Sequence, residues 1–142
     1  MAALTKDRVL RTKGVGRRPG YRKVAAAVII FAGAAIAVNA AGFVVPASDT
    51  AALKVIGVSE AYVNNSAGAA GDKEVPFVTG LDVEFNNAGG AIVQASEDKL
   101  CYVADDNSVT TSAVAANDIV MGRVTEFSTT KVWVYVDEDQ AA

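Results

Sequence analysis

The chain has 142 residues, 51% of them hydrophobic, with no histidine and a single cysteine, Cys101. This length supports one domain with its own core, while the missing His removes the usual neutral-pH base and imidazole ligand and the lone Cys excludes a disulfide framework or a multi-cysteine zinc site. The net charge of −3 divides into +7 over residues 1–23 and −10 over the rest, which reads as an acidic body with a basic arm.

Residues 1–23 form that arm. They contain Gly14, Gly16, Pro19 and Gly20 and few large apolar side chains. Such a segment buries too little to offset the entropy of ordering it, so it is expected to be disordered when free and ordered only against a partner. Deleting it should leave a folded body. Gly14-Val15-Gly16 with Gly20 lacks the spacing of a phosphate-binding loop and the strand and helix such a loop needs.

The uncharged run Val24–Val38 resembles a signal peptide or membrane anchor, but it is shorter than the roughly 18–20 residues a spanning helix needs. Gly33 interrupts it, Asn39-Ala40-Ala41-Gly42 ends it like a turn, and Met1 argues against a removed signal. The run predicts two buried strands, Ala27–Phe31 and Ala35–Val38, folded about Ala32-Gly33. A third, Phe43–Val45, stops at Pro46.

Beyond it, strands alternate with turns. Leu53–Val63 is one long extended segment with a bulge at Gly57, and Asn64 to Asp72 is a loop. Glu74–Val78 contains Pro76 and suits an edge strand or a bulge. Leu81, Val83 and Phe85 alternate with Asp82 and Glu84, the pattern of a half-buried strand. Asn86–Gly90 is a turn and Ser96–Lys99 a single helical turn. Leu100–Ala104 is a strand ending in the turn Asp105–Ser108, and Ile119–Glu126 with Lys131–Val136 forms a hairpin. Eight or nine short strands predict an all-β fold, a small β-barrel or β-sandwich, with the arm as residues 1–23 and the β-rich domain as residues 24–142.

The chemical candidates are few. Gly57-Val58-Ser59-Glu60-Ala61 falls one residue short of a nucleophile elbow, and no His exists to activate Ser59. Asp105, Asp106 and Asn107 lack the further ligands a calcium loop requires and read as a solvated turn. Asp137, Glu138 and Asp139 read as a solvated tail. Asn64-Asn65-Ser66 is formally a glycosylation sequon, and Cys101, between Leu100 and Tyr102, reads as a buried inert thiol. These readings imply no catalytic residues, no cofactor and no metal. Trp133 and Tyr135 share one face of a strand whose other face carries Val132, Val134 and Val136, so they are candidate subunit-interface residues.

The arm is the feature with functional weight. Arg8, Arg11, Arg17, Arg18 and Arg22, with Lys13 and Lys23, are candidate contacts to an acidic protein surface through charge-assisted bonds. Phosphate binding is the alternative, although Tyr21 as the one aromatic makes no stacking platform.

From Ala32 onward, the order of Ala32–Gly42, Val44–Ala47, Asn65–Asp72, Cys101–Asp106 and Gly122–Val124 leading to Val132–Val134 resembles the decoration (cement, or head-stabilising) proteins of tailed-bacteriophage capsids. The resemblance implies a compact, β-tulip-like barrel without catalysis, bound outside the major capsid protein shell of a virion assembled in the host cytoplasm. The family's oligomeric state varies. A homo-oligomer with a trimer favoured is expected, because capsid shells offer many threefold positions and the Lys131–Val136 strand is apolar on both faces. No small-molecule substrate, nucleic acid or membrane is expected as partner. The basic arm is not part of the resemblance. A nucleic-acid-associated protein and a membrane-anchored or exported β-domain are the other readings.

Overall fold

The computed structural model describes residues 3–138. Among them are thirteen strands and only two short 3-10 turns, Ala88–Gly90 and Gln94–Ser96. The all-β expectation holds.

The first sheet closes on itself. Strands β9 (Leu81–Asn87), β10 (Leu100–Asp105), β11 (Ser108–Thr110), β12 (Val120–Phe127) and β13 (Lys131–Val136) run in the order β9-β11-β10-β12-β13, and β13 pairs back onto β9. All these pairings are antiparallel except β9 with β11. The short β1 (Thr12–Lys13) adds to β9 from outside the barrel circuit. Alternation explains the closure. Leu81, Val83 and Phe85 on β9 and Val132, Val134 and Val136 on β13 are buried, while the residues between them stay partly exposed. Gly122 is where β12 and β13 press together, because a Cβ there would collide with the Tyr135 carbonyl.

The second sheet has the order β2-β8-β6-β4-β5, from β2 (Arg17–Lys23), β8 (Glu74–Thr79), β6 (Lys54–Ser59), β4 (Ala35–Val38) and β5 (Val44–Pro46). It curls until Val24, just past β2, bridges Val44 at the start of β5. A two-stranded piece, β3 (Ile29–Ile30) with β7 (Val63–Asn64), lies beside it. Its own cluster gathers Val24, Ile30, Ile36, Val44, Ile56, Val63, Val75 and Phe77. Its opposite face sends Ala35, Ala37, Val55, Val58 and Val78 into the barrel's cluster, so the two sheets share apolar interior. Being covered on both faces is why β4, Ala35–Val38, reads as a continuous apolar run, whereas Ala26 and Ala27 earlier in the segment are exposed.

Several boundaries differ from expectation. The strand expected at Ala27–Phe31 shrinks to Ile29–Ile30, because Ala27 adopts φ 61° while the backbone wraps around Asn65. Leu53–Val63 divides into β6 and β7. The expected bulge is present, since Ile36 faces Gly57 while Ala37 faces Val55, leaving Ile56 extra. Pro76 does not mark an edge, for β8 lies between β2 and β6. It sits opposite Tyr21, and its carbonyl faces the β6 side, where it accepts from Glu60 just past the end of β6. The missing N–H therefore points where no ladder bond is needed. Strand β11 lies partly in the stretch expected to be a turn. No helix among the described residues is long and apolar enough to cross a membrane.

Candidate functional site: the N-terminal strap

Residues 3–24 lie across both sheets of the same chain as a strap, and this is the main departure from the expectation of an arm held by a partner. The Leu4 amide donates to the Asp106 carboxylate at 2.9 Å. Asp7 accepts from the Ala32 amide at 2.8 Å, and the Arg8 amide donates to the Ala32 carbonyl at 3.0 Å. Thr12 and Lys13 then pair with Val83 and Asp82 as β1. Gly14 and Gly16 take φ +87° and +68° to turn the chain, and β2 continues along β8.

Arg8 is the pin of the strap. Its Nε donates to the Gly33 carbonyl at 2.7 Å and its Nη1 to the Glu84 carbonyl at 2.8 Å, with the guanidinium 5.2 Å from the Phe85 ring centre. Gly33 makes this possible, since a Cβ there would lie 2.5 Å from Arg8 Cγ. Burial holds the Arg8 pKa below its ordinary value, opposed by the nearby charges of Asp106, Glu84 and Asp105. Its Nη2 is buried without a hydrogen-bond partner.

The remaining cations meet carboxylates of the chain's own body. Arg11 lies 3.8 Å from Glu84, and Lys13 lies 3.0 Å from Glu126. Arg17 reaches Glu138 at 2.6 Å and Asp137 at 3.7 Å, while Arg22 reaches the same Glu138 at 3.3 Å. Arg18 pairs with Glu60 at 3.0 Å. Lys23 is exposed and stands opposite Glu74 in the β2–β8 register. The seven cations expected to face a partner thus lie on one strap, and six of them engage groups of this chain.

Two acidic segments are corrected by this geometry. Asp106 is not a solvated turn residue: it is 3% exposed and anchors Leu4. Burial pushes its pKa up to about 6, reinforced by Asp105, against the opposing Leu4 hydrogen bond and Arg8 charge. Glu138 is not part of a free tail. Its amide donates to Thr79 Oγ1 at 2.9 Å and its side chain, 14% exposed, binds two arginines. Asp139 lies outside the described residues. A +7 segment in front of a −10 body is the signal that could have located these partners.

The other candidates resolve locally. Trp133 is half-buried, with Lys13 Nζ 4.4 Å from its ring centre, so the strap covers it. Tyr135 is exposed, and its hydroxyl donates to Asp137 at 3.1 Å. Ser59 is buried, its hydroxyl donating to the Ala61 carbonyl at 2.7 Å. Cys101 is buried and its thiol is pushed up to about 12, which keeps it protonated. In the sequon, Asn64 is exposed, while the adjacent Asn65 is buried and donates to the carbonyls of Ala25 and Ala69. No cluster of three or more His, Cys, Asp or Glu residues suited to a metal ion occurs among the described residues.

What the site can do chemically is bind rather than react. It offers a basic, largely exposed strand on an otherwise acidic surface, with Val9, Val15 and Tyr21 among the exposed apolar side chains. Comparison with known protein families finds no matching family model, and comparison with curated proteins finds no match.

Proposed function

We propose that the protein is a structural capsid decoration protein that binds the outer surface of a phage head and stabilises the major capsid protein shell. The observation that supports this reading is the strap, which leaves Val9 and Val15 87% and 83% exposed beside a line of arginines. Apolar side chains flanked by cations form a surface suited to an acidic protein shell. On this reading Arg8 is a positioning residue, and Arg18, Tyr21 and Lys23 supply the outward surface. The copies are proposed to assemble as trimers, with Tyr135 near the contact.

The phosphate-binding alternative is less favoured, since a phosphate would leave the exposed Val9 and Val15 uncovered, whereas a protein surface covers them. The test is to mix the purified protein with capsids that lack it, followed by co-sedimentation, cryo-EM and native mass spectrometry. Saturable binding at fixed positions on the outer surface is expected. Capture by nucleic acid alone, or no binding to any shell, would overturn the proposal.

A further inference from the structure

We infer that, where copies of this chain assemble, residues 3–13 of the strap dock on the body of a neighbouring copy, so that the copies join by exchanging strap ends. The segment is placed to leave its own body without opening a core. None of residues 3–13 is fully buried, and its apolar packing is limited to Leu4 and Leu10 at the margins of the two clusters. It is held instead by body groups: Asp106 for the Leu4 amide, Ala32 for Asp7 and the Arg8 amide, Gly33 and Glu84 for the Arg8 guanidinium, and β9 for β1. Every other copy presents the same groups, so the same bonds form between copies as within one.

The hinge lies at Gly14 and Val15. Gly14 turns the chain at φ +87°, and a Cβ there would meet nothing within 4 Å, whereas Gly16 is packed against Thr79 and Val78. Two features beside this hinge favour a second copy as the recipient. Lys13, Asp82 and Tyr135 stand abreast across β1, β9 and β13, so the exposed Tyr135 lies near the hinge, whose Val15 is 83% exposed. A neighbour docked there covers both side chains. The bodies also repel each other, since residues 24–142 carry the excess of carboxylates, while residues 3–13 hold four cations against one carboxylate. A cationic segment passing between two acidic bodies removes that repulsion where they meet. Linkage within one chain favours self-docking through its high effective concentration, and contact between copies offsets this. The inference rests on the proposed self-association, not on the capsid reading, and names the segment that links the copies.

The experiment uses two full-length variants, Lys13→Cys and Asp82→Cys, which place one thiol on each side of the β1–β9 pairing. They are mixed, concentrated and oxidised without any capsid, and the disulfide-linked species are identified by mass spectrometry. Expected is a pair of chains joined between positions 13 and 82, in at least tenfold excess over pairs joined 13 to 13 or 82 to 82. Gly14→Pro locks φ near about −65°, which the self-docked turn does not accept. It should lower at least tenfold the concentration at which native mass spectrometry detects oligomers, and adding Arg8→Ala should reverse that gain. Oligomers without the 13–82 link would leave self-association standing and overturn the exchange, while no oligomers at all would overturn both. An unchanged threshold in Gly14→Pro, or a lowered one that Arg8→Ala does not reverse, would overturn the exchange as well.

Discussion

Asp106 turns a short loop residue into a pH-dependent anchor. Its carboxyl is held up at about 6 in the folded chain against 3.8 ordinarily, chiefly by burial. A folded-state pKa above the unfolded value favours folding while the group is protonated. That contribution is complete below about pH 3.8 and is lost as pH rises through about 6, a difference of roughly 2–3 kcal/mol. Asp106→Asn can keep the Leu4 hydrogen bond without burying a charge. The variant should therefore match the parent near pH 4 and exceed it in stability by about 1–2 kcal/mol near pH 7. Urea denaturation of both proteins from pH 4 to 8 checks this, and a gap that shrinks with rising pH would contradict it. Gly33 gives a second expectation at this scale. Ala at φ +87° is strained and would strike Arg8 Cγ, so Gly33→Ala should cost about 1–3 kcal/mol. Adding Arg8→Ala should recover less than the whole of that cost, because the positive φ remains; full recovery would place all the cost in the collision.

The strap is an element whose stability comes from charge and backbone pairing rather than from an apolar stripe. Glu138 joins Arg17 and Arg22, so Glu138→Gln removes two ion pairs at once. Each is partly exposed, and together they should be worth about 1 kcal/mol. Salt screens such contacts, so the cost measured by denaturation should fall toward zero between low and molar salt. A cost independent of salt would mean that packing at Thr79, not charge, is what Glu138 provides. Deleting residues 2–23 also has a changed expectation. The sequence alone predicts an intact body, whereas the structure makes β2 a ladder partner of β8 and Arg8 a pin between Gly33 and Glu84. The truncated chain should lose at least about 2 kcal/mol, read as a lowered urea midpoint. An unchanged midpoint would show the strap to be dispensable to the body.

At the scale of the whole molecule, the barrel and the second sheet share one apolar cluster, in which Val55, Val58 and Val78 sit with Val83, Met121 and Val134. Removing either sheet would expose part of the other's core, so the two should unfold together. Trp133 is the only tryptophan and lies on the barrel. Its fluorescence should therefore lose signal at the same urea concentration as far-UV circular dichroism, which reports on all the strands. Separate midpoints would mean that the sheets are independent units. Folding should be slow for the chain's size, because pairings such as β1 with β9 and β9 with β13 join residues far apart in sequence.

Alternation and turn chemistry were legible wherever one face of a strand is buried. Leu81/Val83/Phe85, the Lys131–Val136 strand, Ala35–Val38 and the bulge near Gly57 all follow from side-chain periodicity and glycine placement. The all-β class and the buried Cys101 followed from the same signals. The strap did not, because it lacks an apolar stripe. Its partners Glu60, Glu84, Glu126 and Glu138 are dispersed along the chain, and only closure of the barrel and curling of the second sheet bring them beside residues 8–22. Pro76 misled for a related reason, since its missing N–H is harmless only because β6 stops at Ser59. Local patterning is set by each residue and its neighbours two positions away, so the sequence by itself determined the strands and the class. Long-range charge pairing, the burial of Asp106 and the bridging of Val24, just past β2, onto Val44 of β5 depend on which distant segments meet, and only the tertiary structure decided them.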